Sequence, residues 1–186
     1  MKKSVLRKYA HLIATVGVNV KRGQEVFIYA ELDQPEFVRM VAEECYKAGA
    51  ARVNVEWSDQ ALACLHTRRR SQKVLSTLTS YELEKWKYQA EVLPCKIYLM
   101  SEDPDGMAKV NQKKVAAAQQ AKMKLIKPIR DKMEDRYQWC IAAVPGAAWA
   151  KKVFPHLPKG KAIEALWEAI LTTSRVTDDP VAAWEE

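Results

Sequence analysis

The sequence contains few cysteines, and none of them forms a CxxC pair. The four are Cys45, Cys64, Cys95 and Cys140. Cys95 and Cys140 lie in apolar, strand-like runs, where a free thiol behaves as a small hydrophobic side chain. We therefore expect reduced thiols and a cytoplasmic protein.

Long hydrophobic runs are also absent, and no stretch approaches the length of a membrane span. The opening MKKSVLRKYAHLIATV has the basic start of a signal peptide. However, Arg7, Lys8 and His11 interrupt its apolar residues, and no small-residue cleavage site follows. The apolar positions recur at helical spacing, so we predict an amphipathic first helix and no membrane partner.

Common catalytic and phosphate-binding motifs are missing as well. The chain has no HExxH, GxGxxG, GxxxxGK[ST] or GxSxG sequence. Its three histidines, His11, His66 and His156, lack metal-ligand spacing, and we expect them at the surface or at element boundaries. The residues themselves therefore identify no catalytic and no metal-binding side chain.

The composition is that of an ordinary globular protein, but the charge is unevenly spread. Of 186 residues, 48% are hydrophobic and 28% charged, which suits one domain with a sizeable core. The net charge is +7, and nine Lys or Arg against three acids lie between Met107 and Arg136. These cations and the nearby HTRRRSQK run could contact nucleic acid phosphates. We favour a solvated helix face, because no aromatic or glycine-rich element is interleaved with the charges.

Apolar strand patterns alternate with helical patterns along the chain. The predicted strands are Val26–Ala30, Arg52–Trp57, Lys96–Met100 and Gln138–Ala143. Four predicted helices have both bounds: Val5–Val16, Gln34 to Gly49, Ala147–Phe154 and Lys161–Thr173. Two more are predicted from their caps, one beginning after Asp59 and one after Ser80. A long helix is predicted to begin at Asp103 or nearer Asn111 and to continue to about Met133, with a break or kink at Pro128. This order predicts a three-layer α/β fold: a mainly parallel sheet of at least four strands with helices on both faces.

An acidic residue follows each of the first three predicted strands: Asp33, Asp59 and Asp103. Ligands of open parallel sheets bind beyond the carboxyl ends of the strands, where acids could meet a cation or an amine. These three are therefore the cleft-facing candidates. Asp103 and Asp59 are also suited to capping helices, and we favour that role for them.

The chain ends with VTDDPVAAWEE, which has the pattern of a helix start. Asp179 can cap the first turn, and Pro180 suits the first helical position. The helix then stops after about two turns, without a stop signal. We expect an α/β domain over residues 1–178 and the start of a linker helix over residues 179–186.

Four stretches occur in the order seen in one family of enzymes. They are YAHLIATVGVNVKRGQEVFIYAE, CYKAGAARVNVEW, WCIAAVPGAAWAKKVFP and LWEAILTTSRVTDDPVAAW. From about Leu6 to Trp184, the chain resembles the amino-terminal domain of the thermophilic-type metallo-aminopeptidases, the aminopeptidase T and aminopeptidase S group. One departure is Cys45, where an alanine is more usual.

The resemblance implies a two-domain enzyme that removes amino-terminal residues from peptides with two divalent metal ions of zinc, cobalt or manganese type. The family's metal ligands and general base lie in a second, downstream domain, so no catalytic or metal-binding residue can be carried over to this chain. Whether the chain acts as an enzyme therefore stays open. The implied partners are a missing carboxy-terminal catalytic domain, further copies in a homo-oligomer, and a peptide substrate.

Within such an enzyme, this domain would shape the substrate cleft and support oligomerisation. Three aromatic residues near the end of the chain, Trp149, Phe154 and Trp184, are the candidates for interdomain or oligomer contacts. Without the second domain, we expect apolar surface around Trp184 to mediate self-association, or the last turn to fray. The alternative function is a stand-alone α/β binding protein that uses its basic face for RNA or for an acidic partner, with nucleic acid the less favoured.

Overall fold

The computed structural model describes residues 1–185, which divide into two units. The first unit comprises residues 1–58, 95–104 and 138–185, and the second comprises residues 59–94 and 105–137. Glu186, the last residue of the expected linker helix, lies outside the described residues.

The first unit contains a four-stranded sheet in which every pair of neighbours is parallel. The strands are β1 Glu25–Glu31, β2 Arg52–Ser58, β3 Cys95–Met100 and β4 Trp139–Ala143. Their order across the sheet is β2-β1-β3-β4. Each strand agrees with its predicted bounds to within one residue, and the α/β class and the three-layer fold are confirmed.

The helices lie between and after these strands along the chain. Those of the described residues are α1 Lys3–Leu12, α2 Pro35–Lys47, α3 Gln60–Arg69, α4 Gln72–Ser76, α5 Ser80–Val92, α6 Gln112–Arg130, α7 Ala147–Val153, α8 Lys159–Thr173 and α9 Ala182–Glu185. A π-helical turn over Ile13–Gly17 continues α1, so the predicted first helix is confirmed with a wider last turn. The short helix α4 had no counterpart in the sequence prediction.

One face of the sheet forms the core of the first unit. Side chains alternate along a strand, so Val26, Ile28 and Ala30 of β1 point to the same face. In the parallel register, Ile28 lies beside Ile97 of β3, and all of these side chains are almost fully buried.

Three aromatic rings pack the helices against this core. Their sequence spacing did not reveal that they meet.

The aromatic cluster joins α1, α2 and α8. Tyr9 stacks on Phe37 with 5.5 Å between ring centroids, and Phe37 meets Trp167 edge-on at 5.4 Å. Rings at such distances stabilise beyond their burial alone. The cluster therefore holds the helices that cover the core face, and with them the loops that follow the strands.

Helix starts follow local capping chemistry, with two corrections. Asp59 caps α3 as predicted: its carboxylate accepts hydrogen bonds from the N–H groups of Ala61 and Leu62. The predicted cap Ser80 is wrong by one residue, because Thr79 caps α5. No helix begins at Asp103, since residues 104–109 form turns.

The long helix α6 begins later and ends earlier than the widest prediction. Asn111 caps it, accepting a hydrogen bond from the Lys114 N–H, which confirms the later of the two predicted starts. Pro128 does not break the helix, which continues to Arg130. Pro128 has no N–H to donate to the Lys124 carbonyl, and the helix ends two residues beyond it. The predicted extension to Met133 is wrong, because residues 131–135 form turns.

Candidate functional site at the carboxyl edge of the sheet

The strand order creates a switch point between β1 and β3. The chain moves outward from β1 to β2, and then outward in the other direction from β3 to β4. In open parallel sheets, ligands bind beyond the carboxyl ends of the strands at such a point. The residues that follow β1, β3 and β4 are therefore the first place to examine for a site.

Asp33, one of the predicted cleft residues, lies at this edge. Its side chain is exposed, and one carboxylate oxygen accepts a hydrogen bond of 2.9 Å from the Ser101 hydroxyl. Ser101 follows β3 directly and is buried. Beside them, the Gln34 side-chain amide donates to the Pro145 carbonyl at 3.3 Å. The loops after three strands are thus linked to one another.

Gly146 makes the close approach of these loops possible. A Cβ atom at this position would lie 1.9 Å from the Ser101 carbonyl oxygen and 3.4 Å from the other carboxylate oxygen of Asp33. The Ser101 carbonyl and the Asp33 carboxylate belong to two other loops. Glycine is therefore needed at position 146 because these loops approach its backbone closely, and not because of an unusual φ angle. Sequence reasoning missed Ser101 and Gly146, although each follows a predicted strand closely, as Asp33 does.

This edge can bind a hydrogen-bond donor or a cation weakly, through one solvent-exposed carboxylate. The donor set of one carboxylate and one hydroxyl does not fit a pair of divalent metal ions, which needs several charged ligands. Within residues 1–185, no group of three or more His, Cys, Asp or Glu side chains is arranged to hold a metal ion.

The other two predicted cleft residues have different positions. Asp59 belongs to the second unit, where its carboxylate is engaged by the first turn of α3 at 2.8 and 3.1 Å. Asp103 belongs to the first unit and is partly buried after β3, two residues beyond Ser101. The capping role is therefore confirmed for Asp59 and wrong for Asp103, and Asp33 lies at the switch point with its carboxylate bonded to Ser101.

The candidate contact residues near the chain end also differ among themselves. Trp149 and Phe154 are partly buried and pack against the core of the first unit. Trp184 is 53% exposed. Its indole N–H donates to the Ser174 carbonyl at 2.9 Å, and the Arg175 guanidinium lies 5.9 Å from the ring centroid.

Beside Trp184 lies an apolar cavity that sequence reasoning did not detect. It has a volume of about 330 Å³, and its walls include Leu12, Ile13, Ile141 and Trp184. Tyr9 also lines it, and burial raises the pKa of Tyr9 to about 12. The Tyr9 phenol is neutral at pH 7, so it adds no charge to the apolar wall of the cavity.

Three of the four cysteines, Cys45, Cys95 and Cys140, are not activated as nucleophiles. Burial raises the pKa of Cys45 to about 12 and that of Cys95 to about 11, and it also raises the pKa of Cys140. These thiols stay protonated at neutral pH, whereas nucleophilic chemistry requires the thiolate.

None of the helices in residues 1–185 is both long and apolar enough to cross a membrane.

Comparison with known proteins identifies the family. The family model described as thermophilic metalloprotease (M29) matches residues 2–186. The chain belongs to this family. The M29 membership confirms the resemblance seen in the sequence, and the relatives described next are named aminopeptidases.

Three relatives and one solved structure show how far the similarity extends. Aminopeptidase 2 of Geobacillus stearothermophilus is 35% identical over 183 residues, covering 97% of this chain and 44% of that protein. Aminopeptidase AmpS of Bacillus subtilis (strain 168) is 34% identical over 181 residues, covering 96% and 44%. Aminopeptidase T of Thermus thermophilus is 32% identical over 185 residues, covering 98% and 45%.

The solved structure of wild-type AmpT from Thermus thermophilus matches the fold with a TM-score of 0.86. That match is 32% identical and covers 98% of this chain but 45% of the other. The M29 chain described here thus spans less than half the length of the relatives that it matches.

Proposed function

We propose that this chain is the non-catalytic amino-terminal domain of a metal-dependent aminopeptidase that hydrolyses amino-terminal residues from peptides. One observation carries the proposal: nearly the whole chain matches proteins named aminopeptidases, yet it spans only 44–45% of their length. The remaining part of such a protein would hold the catalytic and metal-binding residues. The donor groups at the carboxyl edge of the sheet support this division, because they do not fit a metal pair.

The proposed role of the domain is to shape the substrate cleft. Asp33 supports this role, since its exposed carboxylate is held by Ser101 at the switch point of the sheet. A fixed carboxylate at a cleft wall can accept hydrogen bonds from a free amine, the group that distinguishes an aminopeptidase substrate. Asp59 and Asp103 are secondary candidates in this proposal.

The proposed boundary lies near residue 178, with residues 179–186 as the start of a linker helix to the catalytic domain. The helix α9 supports it, and an Asp179 carboxylate oxygen accepts a hydrogen bond from the Ala182 N–H at 3.1 Å. Trp184 is the most exposed of the three candidate contact residues, so we propose it as the contact to that domain or to another copy. We also propose a cytoplasmic location, which suits four cysteines without a disulfide.

Metal analysis combined with an activity assay tests the division of labour. The purified chain is expected to contain no stoichiometric zinc, cobalt or manganese and to leave an aminoacyl anilide uncleaved. A fusion of this chain to the part of aminopeptidase T beyond the matched region is expected to bind metal and to cleave the anilide. That part alone is the control for the contribution of this domain.

Two results would overturn the proposal. One is stoichiometric metal with anilide hydrolysis by the chain alone. The other is a fusion that folds and binds metal but is no more active than the control. An open reading frame that continues beyond Glu186 with metal-type Glu and His residues would support the proposal independently.

A further inference from the structure

The second unit carries the whole net charge of the protein. Residues 59–94 and 105–137 contain fifteen Lys and Arg against eight Asp and Glu, a net +7, while the rest of the chain has fifteen of each sign. Charge of one sign concentrated on part of a surface attracts partners of the opposite sign and accelerates their association. The distribution of these cations within the unit decides what kind of partner they suit.

Lys114 brings the basic end of α3 to the start of α6. Its ammonium donates to the carbonyls of Thr67 and Arg70, each at 2.6 Å. The Gln72 side-chain amide also donates to the Lys114 carbonyl at 3.4 Å. A positive charge on the last carbonyls of a helix is favourable, because it opposes the negative end of the helix dipole. The first turn of α6 is therefore fixed beside the arginines of α3.

Five cations at this junction are exposed and have no acidic partner in the described part of the chain. They are Arg68, Arg69, Arg70, Lys73 and Lys113. Other cations of the unit are neutralised locally, since Lys87 pairs with Glu84 and Lys127 with Asp131. The junction thus keeps its positive charge available for another molecule.

Apolar side chains lie next to this charge. Leu62 and Leu65 are each 47% exposed, and with Arg69 they share the helical spacing i, i+3, i+7. This stripe lies opposite the buried face of α3, which contains Cys64 and Thr67. The helix therefore presents Leu62, Leu65 and Arg69 together to solvent.

This combination favours a protein partner over nucleic acid. Protein interfaces combine an apolar centre with arginine, whereas nucleic acid interfaces are more polar and dominated by phosphate contacts. Val74 of α4, also exposed, adds apolar area next to Lys73. An acidic segment with apolar residues at helical spacing would match both the charge and the leucines.

We propose that this surface, formed by Leu62, Leu65, Arg68, Arg69, Arg70, Lys73 and Lys113, docks an acidic protein segment. It is called the α3–α6 basic surface below. The inference goes beyond the aminopeptidase domain function and does not depend on it, because it rests on contacts and charges within the second unit.

Binding of a fluorescein-labelled peptide of glutamate and leucine at helical spacing tests this surface by fluorescence anisotropy. Replacing Arg68, Arg69 and Arg70 together with Glu is expected to weaken binding by at least about tenfold, because it brings like charges together. The matched control replaces Lys124, Arg130 and Lys132 with Glu. It makes the same change in net charge at exposed positions of the unit, and it is expected to weaken binding by less than about threefold.

Two further variants keep the result interpretable. Replacing the three arginines with Gln avoids introducing negative charge at the end of α3, and it is expected to weaken binding to an intermediate extent. The double change Leu62→Ser and Leu65→Ser leaves the charge intact and is expected to remove the part of the binding that persists at moderate salt. Circular dichroism confirms that each variant is folded before its affinity is compared.

Equal loss of binding in the α3 variant and in the control would overturn the proposal, because the attraction would then come from net charge alone. Tighter binding of a single-stranded RNA of the same formal charge, unaffected by the leucine changes, would also overturn it in favour of a nucleic acid surface. Neither result bears on the aminopeptidase assay, so the two proposals fail separately.

Discussion

At the scale of single residues, Gly146 is the most constrained position at the carboxyl edge of the sheet. Gly146→Ala would place a Cβ atom 1.9 Å from the Ser101 carbonyl oxygen, a backbone atom that cannot move aside cheaply. We expect the free energy of unfolding to fall by about 3 kcal/mol, at the upper end of typical overpacking effects. Urea denaturation measures this change.

Gly160→Ala is the matched control, because a Cβ atom there meets nothing within 4 Å. Gly160 lies in the first turn of α8, where alanine is favoured over glycine, so the variant is expected to be neutral or slightly more stable. Equal destabilisation by the two variants would show that the loop approach at Gly146 is not the constraint.

Glu44 makes stability depend on pH. Burial alone would raise the pKa of this carboxyl, but hydrogen bonds from Lys47 and His11 outweigh it and hold the pKa below the ordinary value of 4.5. A lowered native pKa means that the ionised form stabilises the fold. This contribution is complete above about pH 4.5 and is lost as the pH falls through the native pKa.

We therefore expect Glu44→Gln to destabilise the protein at neutral pH and to differ less from the unchanged protein as the pH falls below 4.5. Urea titrations over a series of pH values measure the difference. Glu43→Gln is the control, since Glu43 is exposed and solvent screens its pairs with Arg7 and Lys47. A pH-independent effect of Glu44→Gln would mean that shape, and not charge, is what matters at this position.

At the scale of elements, the start of α5 depends on Thr79. The Thr79 hydroxyl accepts from the Glu82 N–H, and a Glu82 carboxylate oxygen accepts from the Thr79 N–H at 2.8 Å. Thr79→Ala removes one half of this capping box and is expected to cost about 1 kcal/mol. Ser80→Ala, one residue further on, is expected to change stability by less than about 0.5 kcal/mol.

Urea denaturation of the two variants decides between the adjacent caps. A larger loss for Ser80→Ala would return the cap to Ser80, the residue first predicted. Thr79 has the spacing of a capping box, with Glu82 three residues beyond it, whereas Leu83 stands three residues beyond Ser80. This spacing favours Thr79, and the extended φ and ψ angles of Thr79 in the folded chain agree with it.

Helix starts show how far local chemistry reaches. Asp59 and Asn111 were identified as helix-start residues from sequence, because a cap needs only its own side chain and the next few N–H groups. Asp103 has the same signal, followed by proline, but begins no helix. Gly106 follows it and disfavours a helix, and residues 104–109 form turns instead.

At the scale of the whole molecule, Trp184 distinguishes a core residue from a contact residue. Its side chain makes one hydrogen bond and one cation–π contact, while more than half of the residue is exposed. Trp184→Ala is therefore expected to cost about 1 kcal/mol. Trp167→Ala, at an 8% exposed ring in the aromatic cluster, is expected to cost about 4 kcal/mol.

Urea denaturation of both variants measures these costs, and sedimentation velocity of the unchanged chain and of Trp184→Ala measures self-association. We expect any association of the chain to weaken in the variant, because exposed apolar area drives it. A loss of several kcal/mol at Trp184 would show that it anchors its own domain, and the role in contacting another domain would then be wrong.

The amino-acid sequence by itself determined the α/β class, the four parallel strands and the family. These depend on patterns that repeat within a few residues, namely alternating apolar runs, helical spacing and caps, and on the order of four family stretches. These patterns can be identified without knowing which segments of the chain meet.

Only the tertiary structure decided which residues share a site. Asp33 and Ser101 are 68 positions apart, and they meet because the strand order places β3 beside β1. Lys114 and the end of α3 are also distant in sequence and meet only in the folded chain. The cavity beside Trp184 is likewise lined by segments from both ends of the chain. Contacts between distant segments depend on strand order and helix packing, which local sequence patterns do not encode.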